Sequence, residues 1–216
     1  MTNFSASPSS ALFLARQAVQ SGSVDCALAL GFEQMTPGAL GIIFEDRPNP
    51  LMRFYEEMES LQGFDESSPW AAQFFGGAGL EHIKEYGTSA NTLAKIKVKA
   101  SKHAAKNPFA IFNKEVTEEE VMNSPMIFNP LTRLQCCPPS CGAAAAIICT
   151  EDFAKINNLN TDIAIAAQSM TTDYSTTFED HDMRKVVGYD MAKEAAQEVY
   201  EAASISPKDI KVCELH

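Results

Sequence analysis

The sequence predicts an α/β fold whose sheet layer is interrupted by a long insertion. Two observations carry this class. Amphipathic helical stretches sit next to short apolar runs near both ends of the chain, which is the rhythm of helices packed on a sheet. Between them, prolines and glycines break the pattern over residues 34 to 141.

Residues 9 to 21 predict the first helix, with Ala11, Leu12, Ala15, Ala18 and Val19 on one face and Leu14 at its flank. Pro8 suits the first turn, where its missing N–H costs no hydrogen bond. Ser7 is the N-cap candidate and Gly22 the stop signal. Val24 to Gly31 forms a nearly continuous apolar run. Such a run predicts a strand buried on both faces, as in parallel or mixed sheets.

Within the insertion, Pro37, Pro48, Pro50 and Pro69 interrupt the pattern, and Gly38, Gly41 and Gly63 add turns. Glu56, Glu57, Glu59, Asp65 and Glu66 make part of it strongly acidic. Helices are expected at about Ala78 to Tyr86 and Ser89 to Lys106, the second ending before Asn107-Pro108. Thr117 followed by Glu118, Glu119 and Glu120 fits a capping box opening a short helix before Pro125.

The α/β rhythm resumes at Cys141 to Cys149, whose small residues suit a closely packed central strand, although the pattern also admits a helix. Thr150 then caps a short helix through Ile156. Further strands are expected at Asp162 to Ser169 and at Ile210 to Leu215. Between them, Met191, Ala192, Ala195, Ala196, Val199 and Ala203 line one face of a helix over 190–203. A chain that stops at His216, just after a strand, has the ending of a truncated domain.

Composition narrows the function. A net charge of −11 leaves no basic footprint for nucleic acid. Lys95, Lys97, Lys99, Lys102 and Lys106 read as the wet face of a helix, with a phosphate-binding patch as the alternative. Without an apolar run of about 18 residues, no transmembrane helix is expected. Met1 to Ser10 does not read as a signal peptide, and Glu214-Leu215-His216 is not a peroxisomal address. Cys136, Cys137 and Cys141 read as buried or loop thiols rather than a zinc site, because adjacent thiolates seldom complete a tetrahedral set. His103 sits among lysines and is expected to face solvent, and His181 lies in an acidic loop with Glu179, Asp180 and Asp182. No metal is expected there.

Four stretches, in order, resemble the thiolase family. Ser9-Ser10-Ala11-Leu12-Phe13-Leu14-Ala15-Arg16-Gln17 is similar to the helix that follows the nucleophile. Phe74-Phe75-Gly76-Gly77-Ala78-Gly79-Leu80-Glu81-His82, with Tyr86-Gly87, resembles the start of the family's loop domain. Leu134-Gln135-Cys136-Cys137-Pro138 and then Gly142-Ala143-Ala144-Ala145-Ala146 resemble the strand returning from it. Val187 to Ala196, leading to Glu214-Leu215-His216, is similar to the sterol-carrier-protein-x type of 3-ketoacyl-CoA thiolase (propanoyl-CoA C-acyltransferase).

The resemblance implies a thiolase-like fold of two halves, each with a mixed five-stranded sheet, here incomplete at both ends. It divides the chain into the end of the first half (1–33), an inserted loop domain (34–141), a returning strand (142–149) and the start of the second half (150–216). The implied reaction is thiolysis of a 3-ketoacyl-CoA, with coenzyme A as substrate, no cofactor, a homodimeric enzyme and a peroxisomal setting. A chain acting alone without an address would be cytoplasmic.

The family's nucleophilic cysteine is a thiolate at a helix N-terminus, where the backbone dipole favours the anion. In register, Ser5 occupies that position, and Pro8 stands where a glycine is expected. Ser5 is expected to be a loose terminal residue, since a serine needs its own base to attack. His216 matches the first residue of the family's oxyanion-hole motif, where a positioned donor contributes about 3 kcal/mol in the transition state. At the chain end a frayed tail is the favoured reading of it. By resemblance, Phe75, Gly76 and His82 lie near the substrate channel, with packing inside the loop domain as the alternative. Cys141 replaces the acidic residue expected just before the alanine strand.

Three functions follow: part of an acyl-CoA C-acyltransferase that is inactive alone, a catalytically dead product that binds acyl-CoA or a full-length thiolase subunit, or an acyl transferase using Ser5. Missing strands would leave open sheet edges, which predicts poor solubility or reliance on a partner.

Overall fold

The computed structural model describes residues 7–35 and 46–215. The chain forms two compact units. One comprises Met1–Ile43, Pro139–Thr172 and Met191–His216, and the other Phe44–Pro138 and Asp173–Asp190.

The first unit is built on α1 (Ser7–Gln20) and two antiparallel strands, β1 (Cys26–Glu33) and β4 (Gly142–Cys149). In α1 the expected apolar face packs inward, with Ala15 buried and Leu14 left outside. Gly22 ends the helix at φ 72°, a left-handed conformation that glycine adopts without a Cβ penalty. The Ser23 N–H then donates to the Ala18 carbonyl at 3.1 Å.

Alternation along β1 decides which face α1 covers. Ala29 and Gly31 are buried beneath the helix. Leu28, Leu30 and Phe32 point the other way and are 64%, 52% and 70% exposed, and Ile147, the partner of Leu28, is 66% exposed. The expected strand buried on both faces is therefore covered on one. The pairing is antiparallel, as a mixed sheet allows, and among the described residues each sheet has two strands.

Two expected strands are not formed. Residues 162–169 and 210–215 carry no ladder, and Ile163 and Val212 are 91% and 85% exposed. Apolar, β-branched sequence is not sufficient for a strand, because its N–H and C=O groups need a neighbour's edge. Side chains tether the first segment instead: Thr171 Oγ1 donates to the Met191 carbonyl at 3.0 Å, and Ser169 Oγ bonds to Glu198. Around these, Thr150 caps α6 (Glu151–Ile156) by accepting from the Phe153 N–H at 3.2 Å, and α9 (Tyr189–Ala203) forms as expected.

Cys141 precedes β4 and fills the role that its replacement of an acidic residue put in question. The Met35 N–H donates to its sulfur at 3.3 Å, and the thiol donates to the Met35 carbonyl at 3.8 Å. The thiol ties the end of one strand to the start of the other, more weakly than a carboxylate would.

The second unit is helical. It holds α2 (Met52–Gln62), α3 (Trp70–Tyr86), α4 (Ala90–Ala104), α5 (Glu118–Met122), α7 (Thr176–Glu179) and α8 (Met183–Val186). A short hairpin, β2 (Met126–Phe128) with β3 (Leu131–Thr132), packs on α3. The core gathers Met58, Met183 and Val186, with Phe54, Leu61, Trp70 and Phe74 against them. The Trp70 ring is stacked between Tyr55 at 4.2 Å and Phe64 at 4.3 Å.

The Thr117 capping box forms as expected. The Glu120 N–H donates to Thr117 Oγ1 at 3.1 Å, and the Thr117 N–H donates to the Glu120 carboxylate at 2.8 Å. The Thr117 backbone N–H, and after it the Thr117 hydroxyl, hold the Glu120 carboxyl below its ordinary range. Buried Ser101 joins α4 to the segment before α5, accepting from the Val116 N–H at 3.1 Å.

Candidate functional site

The candidate site is α3, where the glycine-bearing motif Phe74 to His82 lies in mid-helix, the helix starting at Trp70 rather than near Ala78. Its small residues are used for close packing. A Cβ on Gly76 would stand 2.5 Å from the Phe128 ring and 3.2 Å from the Asn129 carbonyl oxygen. A Cβ on Gly77 would stand 1.9 Å from Gln62 Oε1 and 3.1 Å from Met183 Cε. A Cβ on Gly79 would stand 3.4 Å from Pro130 Cγ. The run therefore lets the hairpin, α2 and α8 approach the α3 backbone directly, and Gly76 is buried under Phe128.

The opposite side of α3 is open. Phe75 is 57% exposed, and His82 and Tyr86 follow it at helical spacing. The His82 and Tyr86 rings lie 4.7 Å apart, and the Arg184 guanidinium sits 5.4 Å from the Tyr86 ring. This face offers an aromatic ridge with an apolar end at Phe75 and a polar end at His82, Tyr86 and Arg184.

Arg184 is committed to Asp182. Its backbone N–H donates to Asp182 Oδ1 at 2.8 Å and its Nη2 donates to Oδ2 at 2.5 Å. The Arg184 side chain holds the Asp182 carboxyl below its ordinary range, against the opposing cost of burial. The same pair raises the Arg184 guanidinium further above its already high range. A carboxylate depressed in the folded state stabilises above its unfolded pKa of about 3.9 and loses that contribution as pH falls through the folded value. Asp182→Asn is thus expected to cost about 1–2 kcal/mol at pH 7 and to flatten the acid limb below about pH 4. Urea titrations of both proteins at pH 7 and pH 3 check this.

Other candidate positions are separate from this ridge. Lys95, Lys99, Lys102 and His103 line an open groove on α4 with Val98 and Glu118. His181 pairs with Glu57 Oε1 at 2.9 Å. Among the described residues, no three His, Cys, Asp or Glu side chains gather in a group able to hold a metal. Ser5 and His216 lie outside the described residues. Sequence reasoning did not single out Tyr86 and Arg184 as a pair. The expected helix from Ala78 to Tyr86 holds His82 and Tyr86 but not Phe75, and the return of Arg184 to that face depends on the packing of α8 against α3.

Residues 1–152 match the sequence family described as thiolase, N-terminal domain. The chain belongs to the thiolase family. It is 46% identical to sterol carrier protein 2 of Gallus gallus over 217 aligned positions, which cover 100% of this chain and 40% of that protein. It is 45% identical to sterol carrier protein 2 of Homo sapiens with the same coverage. It is 34% identical to an acetyl-CoA acetyltransferase of Methanothermobacter thermautotrophicus, covering 92% of this chain and 48% of that one. Among solved structures, the Ltp2-ChsH2(DUF35) aldolase superposes with a TM-score of 0.67 at 21% identity, over 95% of this chain and 51% of that one. That likeness concerns the fold. The chain spans about 40% of the length of the sterol carrier proteins it matches.

Proposed function

We propose that this chain serves thiolase-type acyl-CoA C-acyl transfer, as the part of the machinery that binds acyl-CoA rather than the part that breaks the bond. The observation that carries this reading is the thiolase N-terminal match over residues 1–152. In thiolysis a thiolate adds to the 3-keto carbon, the C2–C3 bond breaks, and the departing carbanion takes up a proton. The acyl group then passes to the sulfur of coenzyme A. This chain has no cysteine before Cys26, so no thiolate stands at the N-terminus of α1, and Ser5 holds the nucleophile's position. His216 stands where an oxyanion donor is expected, and the loop-domain assignment of residues 34–141 belongs to the same proposal. The setting proposed is peroxisomal lipid metabolism, within a homodimeric parent.

Phe75 is the residue on α3 that would take the acyl chain, since a large exposed aromatic on a rigid helix is a ready apolar contact. The purified chain is expected to bind a long-chain acyl-CoA without cleaving 3-ketoacyl-CoA. Phe75→Ala is expected to weaken binding about tenfold, the loss of ~1.5 kcal/mol of apolar burial. Calorimetric titration with acyl-CoA and a thiolysis assay on the same sample check both. Ketone cleavage by the pure chain would sink the division of labour, and acyl transfer abolished by Ser5→Ala would identify a serine nucleophile instead.

A second reading, a partner of a full-length thiolase subunit, is favoured by the open apolar face of Leu28, Leu30, Phe32 and Ile147. Co-purification with such a subunit, lost on Phe32→Lys, distinguishes it.

A further inference from the structure

We propose that Cys26 and Cys149 are a peroxide-sensitive thiol pair that closes to a cross-strand disulfide. The two residues are register partners in the β1–β4 ladder. The Thr150 N–H donates to the Asp25 carbonyl at 3.0 Å, one residue outside that pair on each strand. In an antiparallel ladder such a bond flanks a non-hydrogen-bonded pair, so Cys26 and Cys149 occupy one. At these positions the Cα atoms are about 4.5 Å apart and both side chains leave the same face. That separation lies within the ~4.4–6.8 Å that a disulfide spans, so the bond needs rotation about the side chains and no rearrangement of the strands.

Both sulfurs are free thiols and half-buried, so a small oxidant reaches them while the ladder holds them opposite each other. The next pair on the same face is Leu28 with Ile147, which offers no competing group. Cys141 is already held by the Met35 backbone.

The oxidant is a hydroperoxide, with hydrogen peroxide as the simplest case. One thiolate attacks a peroxide oxygen, the O–O bond breaks, and a sulfenic acid forms while the departing hydroxide takes up the proton that thiol shed, giving water. The second thiolate attacks the sulfenic sulfur, the S–O bond breaks, and the departing hydroxide takes up the second thiol's proton as a second water. Two thiols are oxidised by two electrons in total, and one peroxide is reduced to two waters.

The link would enclose about 120 residues of chain, from just after Cys26 to just before Cys149. Cross-linking so long a loop restricts the unfolded chain strongly, and the expected rise in Tm is on the order of 10 °C. A reducing thiol would reverse it.

The test is to treat the native 216-residue chain with one equivalent of hydrogen peroxide, block remaining thiols, and digest without reduction for mass mapping. The expected product joins the Cys26 peptide to the Cys149 peptide, two hydrogens lighter than their sum. The same treatment in urea should scatter the pairing. Cys149→Ser should abolish both the cross-link and the peroxide-dependent rise in Tm. If that variant fails to fold, the mapping of the unaltered chain decides alone. Predominant pairing through Cys136, Cys137, Cys141 or Cys213 would overturn the proposal, as would stepwise over-oxidation of Cys26 with no cross-link.

Discussion

Gly31→Ala is expected to destabilise the first unit by about 3 kcal/mol, at the upper end of what one inserted methyl group costs a packed core. An ideal Cβ at this position would stand 2.2 Å from Pro8 Cγ, 2.4 Å from its Cβ and 2.8 Å from its Cα. Two properties of Pro8 prevent relief. Its ring has no free χ rotation that would carry Cγ away, and its Cα belongs to the backbone of the first turn of α1. The helix must therefore lift from the strand, which uncovers Ala29 and Ala15. Gly142→Ala is the control. It lies in the same sheet, opposite Glu33, with open space around its Cα, and is expected to change stability by less than about 0.5 kcal/mol. Urea unfolding of the two variants separates them, and hydrogen exchange should show faster opening of α1 in Gly31→Ala alone. Equal midpoints would mean that α1 does not rest on β1 as described.

Local chemistry made much of this fold legible before any coordinates. Pro8, Gly22, Thr117 and Thr150 act where their side chains or backbone limits predict, because capping and termination depend on neighbours within four residues. Ladders depend on residues far away. Ile163-Ala164-Ile165 and Ile210-Lys211-Val212 have strand composition, yet no neighbouring edge receives them among the described residues. Helix α2 was obscured for a different reason. Glu56, Glu57 and Glu59 drew attention to charge, while Phe54, Met58 and Leu61 recur at helical spacing and line its buried face.

The candidate site was legible as a motif and not as geometry. Gly76, Gly77 and Gly79 stood out as part of a family motif, and a glycine run does not state what approaches it. Here it is Phe128, Gln62 and Pro130. Glycine also costs helix stability, so the start of α3 at Trp70 rather than near Ala78 required tertiary packing to outweigh propensity. Phe75 and His82 lie on the open side of that helix, whereas Gly76 is enclosed.

The last large effect is expected at Gln73, a polar side chain with no exposure. Its amide closes the loop between α2 and α3. Gln73 Nε2 donates to the Asp65 carbonyl at 2.9 Å and to the Ser68 carbonyl at 2.8 Å, and its Oε1 accepts from the Asp65 N–H at 3.0 Å. Gln73→Leu keeps most of the volume and leaves three backbone groups without this partner. At about 1 kcal/mol or more for each group kept from water, the loss is about 3 kcal/mol. Gln73→Glu discriminates between lost packing and lost hydrogen bonding. Its carboxylate would face two carbonyls in a buried site, so its folded pKa rises. That penalty is absent below the unfolded pKa of about 4.3 and grows as pH increases. Gln73→Glu should therefore approach the stability of the unaltered chain near pH 4 and fall below Gln73→Leu at pH 8, while Gln73→Leu shows no such trend. Parallel pH dependence in the two variants would place the cost in packing alone.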